Sequence, residues 1–178
     1  MQRKKLTAVA LAVTAGAVGV GTAIATPGTG IEAAPILARG TLEASHKHDG
    51  HHGHHGHHKS KRDTIRLSRP SDVAVQQVTI LPGGATGWHS HPGPAVVIVK
   101  SGSLTLYDGD DRKCRGTTYA ADDPTNPGPK VFIDEGYGHV HIGRNLGSTK
   151  TELYVTYLDM PVGALPRIDV PDPGNCPF

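Results

Sequence analysis

The stretch "GGATGWHSHPGPAVVIVKSG", Gly83 to Gly102, decides the fold. A glycine-rich turn leads into two histidines one residue apart, and a β-branched run follows up to a closing glycine. Residues i and i+2 of a strand point to the same face, so His89 and His91 are sent the same way and Trp88 the opposite way, into packing. The run "PAVVIVKSG" (Pro94–Gly102) reads as a strand, and "SLTLYD" (Ser103–Asp108) alternates as a half-buried strand does. The intervening "KSGS" supplies a tight turn, so the two are expected to form a hairpin.

Working outward, the same signals recur about every ten residues. "DVAVQQVTIL" (Asp72–Leu81) lies upstream; "GTTY" (Gly116–Tyr119), "VFID" (Val131–Asp134), "HVHI" (His139–Ile142) and "KTELYVTYLDMP" (Lys150–Pro161) lie downstream. Pro and Gly are abundant, 14 and 23, and no convincing helix intervenes. The pattern is that of an all-β, antiparallel sandwich or barrel of roughly 100–110 residues. Tyr107, Tyr154 and Tyr157 fall on strands and read as core or rim. Asn145 follows a strand and reads as a turn cap, and Asp122, Asp123 and Asn126 read as Asx turns in a Pro-rich loop.

"GHVHIGRN" (Gly138–Asn145) holds a second pair, His139 and His141, again spaced to share a face. Two such pairs on facing strands of a small barrel converge inside it, and imidazole suits Zn, Fe, Ni, Cu and Mn. The spacing around both pairs resembles the cupin superfamily over residues 67 to about 166. Gly83, His89, His91 and Gly102 match the first motif of that family; Gly138, His141 and Asn145 match the second. The resemblance implies a single antiparallel cupin β-barrel of the double-stranded jelly-roll type. It also implies one divalent transition metal (Fe, Mn, Ni, Cu or Zn) held by His89, His91 and His141, and a homodimer. Two positions depart from the pattern. Ala95 stands where the first motif carries its ligating glutamate, and Gly136 where the second carries proline. His139 is the candidate fourth ligand, with a role as hydrogen-bonding support the alternative. Asp134 and Glu135 sit in or before a turn, and no spacing argument selects them.

The first 62 residues have a different character. Arg3, Lys4 and Lys5 precede a small and apolar stretch, Leu6 to Ala25, that ends in "AIA", the layout of a signal peptide cleaved after Ala25. The expected division is a signal peptide over 1–25, a low-complexity, disordered His-rich linker over 26–62 and the barrel over 63–178. A short, weak helix around Ile36–Leu42 is the only element considered before the barrel. The linker contains "SHKHDGHHGHHGHHKSKRD", with His46, His48, His51, His52, His54, His55, His57 and His58. That tract lacks apolar residues, so it reads either as an auxiliary metal-chelating arm or as a solvated export linker. Export makes a disulfide the expected state of the two cysteines, Cys114 and Cys176, stabilising by roughly 4 kcal/mol over a loop of about 60 residues. It would also anchor the tail "PDPGNCPF".

Charged residues are 19% and the net charge is +2, so the composition gives no reason to expect nucleic acid; no span is expected to remain after cleavage. No GxSxG, HExxH, phosphate loop or EF-hand is present, which leaves the histidines as the seat of any chemistry. Two main readings stay open, with a third, a structural barrel without metal, behind them. One is a metal-dependent oxygenase acting on a small molecule. The other is a non-catalytic extracytoplasmic protein that binds a metal or small ligand. The reaction, the metal and the substrate are not fixed by the sequence.

Overall fold

The computed structural model describes residues 25–44, 69–121 and 129–178. The expectations for residues 1–24, for the histidine tract and for Asp122, Asp123 and Asn126 lie outside the described residues. Eleven strands, and no helix, make up the described regular structure: β1 (Thr29–Ala33), β2 (Ile36–Leu42), β3 (Ser71–Ala85), β4 (His89–Ser90), β5 (Ala95–Ser101), β6 (Ser103–Asp108), β7 (Gly116–Ala120), β8 (Val131–Asp134), β9 (His141–Arg144), β10 (Thr151–Met160) and β11 (Ile168–Asp169).

All pairings are antiparallel, in the order β11-β4-β9-β3-β10-β5-β8, with β1 and β2 on β3 and with β6 between β7 and β9. The result is an all-β, nearly closed barrel. β10 alternates from Thr151 to Leu158, sending Leu153, Val155 and Tyr157 inward. These pack with Ile80, Val97, Val99, Leu104 and Phe132 in the main core. Burying each such side chain stabilises by about 1.5–3 kcal/mol before ordering entropy is subtracted. A second cluster joins Trp88 and Ile142 to the Cys114–Cys176 disulfide, so Trp88 packs away from the histidines, as the alternation required. The disulfide and the Asn175 amide, which donates to the Asp108 and Asp111 carbonyls at 2.8 and 3.0 Å, hold the tail on the barrel.

Two expectations are corrected. β5 and β6 do not pair: β5 lies between β10 and β8, and β6 between β7 and β9. Gly102, at φ +71°, packs against the Lys150 carbonyl and turns the chain from one sheet into the other. A tight turn between two strands therefore marks a corner of the barrel rather than a hairpin. The second correction concerns residues 26–44, expected to be disordered apart from the weak helix around Ile36–Leu42. They form β1 and β2, which line β3 in registers such as Ile31↔Ile80 and Leu42↔Ser71. Their side chains are exposed, so the segment has no amphipathic period to read. What orders it is the unpaired edge of β3, whose backbone groups need partners. Thr26 completes the attachment: its amide and hydroxyl donate to the Val170 carbonyl, and its hydroxyl accepts from the Trp88 amide.

Candidate metal centre

β4 and β9 pair with His89 opposite His141, and His91 follows directly after β4. The three imidazoles are buried and converge, with ring centroids 4.3, 4.9 and 5.1 Å apart. Each offers a ligand nitrogen within 4.8 Å of the others, a grouping able to hold a metal ion.

Their hydrogen bonds fix the tautomers of two. His89 Nδ1 lies 2.8 Å from the Gly87 carbonyl, and His91 Nδ1 lies 2.6 Å from the Pro166 carbonyl. A carbonyl only accepts, so each Nδ1 carries the proton and each Nε2 keeps its lone pair. Burial, then the neighbouring His141 and Arg167, pushes the His89 pKa well below 6.5. Burial and His141 likewise bring His91 down to about 4, against the opposing pull of the Pro166 carbonyl. Both rings are therefore neutral at pH 7, the form that ligates.

His141 Nδ1 lies 2.9 Å from Asp134 Oδ2, off the line of an aligned hydrogen bond. Asp134 is 3% exposed, and its Oδ1 accepts the Gly136 amide at 2.8 Å. Burial pushes its pKa up, but His141, His139 and the Gly136 amide outweigh that and hold it below the usual carboxylate range. No sequence signal selected Asp134. Its register explains its place: on one side Ala95 pairs with Asp134, and on the other with Tyr157. Paired residues share a face, so Asp134 brings a carboxylate to the row in which Ala95 stands, where it faces His139 and His141. Gly136 departs from proline for a backbone reason. Its φ is +69°, which proline cannot adopt, and a Cβ there would lie 2.1 Å from the Gly93 carbonyl oxygen.

β9 begins at His141, so His139 belongs to the preceding turn rather than to the strand face. It is half-buried, and its Nδ1 lies 3.1 Å from Asp134 Oδ2. Although partial burial opposes it, Asp134, Asp108 and Asp110 raise its pKa. The structure groups it with Asp134 and His141, not with His89 and His91. Asn145 acts as the turn cap that its position suggested, its Oδ1 accepting the Gly147 amide at 3.0 Å. Tyr107 packs against the Trp88 cluster and Phe178, and Tyr154 is half-buried with Lys100 over its ring. Tyr157 is buried 5.1 Å from the His91 ring and donates to Gln76 Oε1.

Beside the histidines the barrel encloses a cavity of about 220 Å³. Apolar side chains from β5, β6, β8 and β10 form most of its wall; Gly28, Ile31 and Ala34 of the N-terminal segment close another side, and Arg167 lies beside the histidines. The three imidazole nitrogen donors fit a divalent transition metal, and the ion would supply Lewis acidity and open coordination positions. The chain's own contribution is to hold His89 and His91 through carbonyls and His141 beside a carboxylate.

Strand order and the converging histidines define the class, an all-β, nearly closed antiparallel barrel with a candidate metal centre. No protein-family model matches the chain, and no curated protein does. Solved structures do. One is a conserved protein with a double-stranded β-helix domain from Klebsiella pneumoniae subsp. pneumoniae MGH 78578, at 20% identity and TM-score 0.43, covering 55% of this chain and 74% of that one. A Cupin 2 conserved barrel domain protein from Salinispora arenicola CNS-205 has 17% identity and TM-score 0.39, over 49% of this chain and 63% of its own. An oxalate oxidase has 22% identity and TM-score 0.40 over 49% of this chain, and the chain spans 42% of that protein. Among the described residues no helix is long and apolar enough to cross a membrane.

Proposed function

We propose that the protein is exported and binds one divalent transition metal through His89, His91 and His141, next to a chamber that receives a small molecule. The observation that carries this is the orientation of the imidazoles: the Gly87 and Pro166 carbonyls take the Nδ1 protons and leave Nε2 as donor. Export is supported by the signal-peptide layout of 1–25 and by the Cys114–Cys176 disulfide, which suits an oxidising compartment.

The activity we favour is oxygenation of the small molecule at the metal, since three protein ligands leave positions for O₂ and substrate. Asp134 would hold His141 and offset part of the metal's charge. A non-catalytic binder is the second reading. It is favoured by the chamber wall, whose lining contains no carboxylate to act as a general base.

The test is metal content after dialysis, on the full chain with the eight tract histidines changed to serine so that they do not confuse the count. One ion per chain is expected, and none in His141→Ala. A chain that stays metal-free after incubation with Fe(II), Mn, Ni, Cu and Zn refutes the proposal. Oxygen uptake by loaded protein in the presence of small organic acids separates the two readings.

A further inference from the structure

The chamber wall is chemically one-sided. Val97, Leu104, Leu106, Phe132, Leu153 and Val155 make its body, and no Asp or Glu lines it. Most of its polar groups are already engaged. The Thr86 hydroxyl donates to the Gly87 carbonyl at 3.0 Å and accepts the Gly143 amide at 2.9 Å. Tyr157 donates to Gln76 Oε1 at 2.7 Å, and Gln76 Nε2 donates to the Ala34 carbonyl at 2.8 Å. What remains is the ligating edge of the three imidazoles and one full charge, Arg167.

Arg167 is held in place at the wall. Its Nη2 donates to the Thr86 carbonyl at 2.6 Å and its Nε to Asp169 Oδ1 at 2.5 Å. These contacts engage two N–H groups of a guanidinium that has five in a fixed planar fork. Asp169 is 45% exposed in its side chain and does not line the chamber, so its charge is screened by solvent while the guanidinium borders the cavity.

We propose that the chamber takes a small monocarboxylate with an apolar body, its carboxylate facing Arg167 and the histidines and its hydrocarbon lying against Leu104, Phe132 and Val155. The location rests on the chamber described under the proposed function; the carboxylate preference does not require the metal. The volume sets the size. A cavity of about 220 Å³ equals about seven waters at the liquid volume per molecule. That is less than the roughly 300–1,000 Å³ of drug-sized sites. The wall sets the charge pattern. A carboxylate meets a cation that matches its geometry, and the hydrocarbon gains from leaving water. A second carboxylate would be pressed into an apolar wall with no partner. A divalent metal on the three imidazoles would add to the same preference, since Asp134 beside His141 offsets only part of its charge and no Asp or Glu lines the wall.

The test is calorimetric titration of the full chain, with the eight tract histidines changed to serine as above, with hexanoate, hexanamide and adipate, on EDTA-treated and on Zn(II)-loaded protein. Hexanoate is expected to bind at least about tenfold more tightly than hexanamide or adipate, the scale of one charge-assisted contact. Arg167→Gln should bring hexanoate to within about twofold of hexanamide while leaving bound Zn(II) unchanged; Arg167→Lys, which keeps the charge, should retain a preference. Equal binding of hexanoate and hexanamide, binding of none of the three, or a hexanoate preference that survives Arg167→Gln overturns the proposal. A chain that takes no Zn(II) but keeps the preference refutes the metal reading alone, and a chain that holds Zn(II) without the preference refutes this one alone.

Discussion

Acid should weaken the metal-free barrel by an amount that His91 makes calculable. Its pKa is about 4 in the fold against 6.5 for the ordinary group. Between those values the unfolded chain binds a proton that the folded chain refuses. The contribution is therefore fully present above about pH 6.5 and is lost as pH falls toward 4. The whole shift corresponds to about 3 kcal/mol at 1.36 kcal/mol per unit, and the part lost between pH 7.5 and pH 5.0 to about 2 kcal/mol. That is a large fraction of a typical stability of about 5–15 kcal/mol. His89 is displaced in the same direction, so the wild-type chain should lose more than this. His139 is displaced upward and works against the loss, because its contribution is present at low pH and disappears as pH rises through its folded pKa. Comparison with His91→Gln isolates the His91 share, since glutamine still offers a donor for the Pro166 carbonyl. The assay is urea unfolding with EDTA and the disulfide intact, at both pH values, followed by fluorescence of Trp88, the one tryptophan and 2% exposed. His91→Gln should lose about 2 kcal/mol less than wild type. Equal losses would mean that His91 is not held neutral by burial.

Further outcomes follow from the same contacts. Asp134→Asn keeps an acceptor for the Gly136 amide but removes the charge beside His141, so metal affinity should fall about 10- to 100-fold with the fold intact; dialysis against graded chelator measures it, and unchanged affinity would exclude a supporting role. A peptide covering Ser45 to Ser60 should release Zn(II) between about pH 7 and pH 5, where exposed imidazoles protonate, whereas the barrel site should retain it to lower pH. Replacing Cys114 and Cys176 together with alanine should cost about 2–5 kcal/mol in urea unfolding and speed amide exchange in the tail. Removing residues 1–44 should expose the Gln77 amide, which now donates to the Pro35 carbonyl, and hydrogen exchange at that position reads the loss directly.

The sequence alone determined the strand class and the three-histidine cluster, because both are local properties. Alternation with period two assigns a face to each residue, so "WHSH" placed His89 and His91 together and Trp88 away from them without any tertiary information. The resemblance of "GHVHIGRN" to the second motif of the cupin superfamily added His141. The same locality explains what was missed. Whether β5 and β6 pair, or turn a corner of the barrel, is settled by β10 and β9, which take their edges from 51–62 and 33–39 residues away. β1 and β2 carry no burial pattern of their own, and only the open edge of β3 gives them a structure. Asp134 is the clearest case. Its position is 39 residues from Ala95 in the chain, and only the β5–β8 register makes them neighbours across one row of the sheet. Distance along the chain carries no information about register, and register is fixed by packing the whole barrel at once.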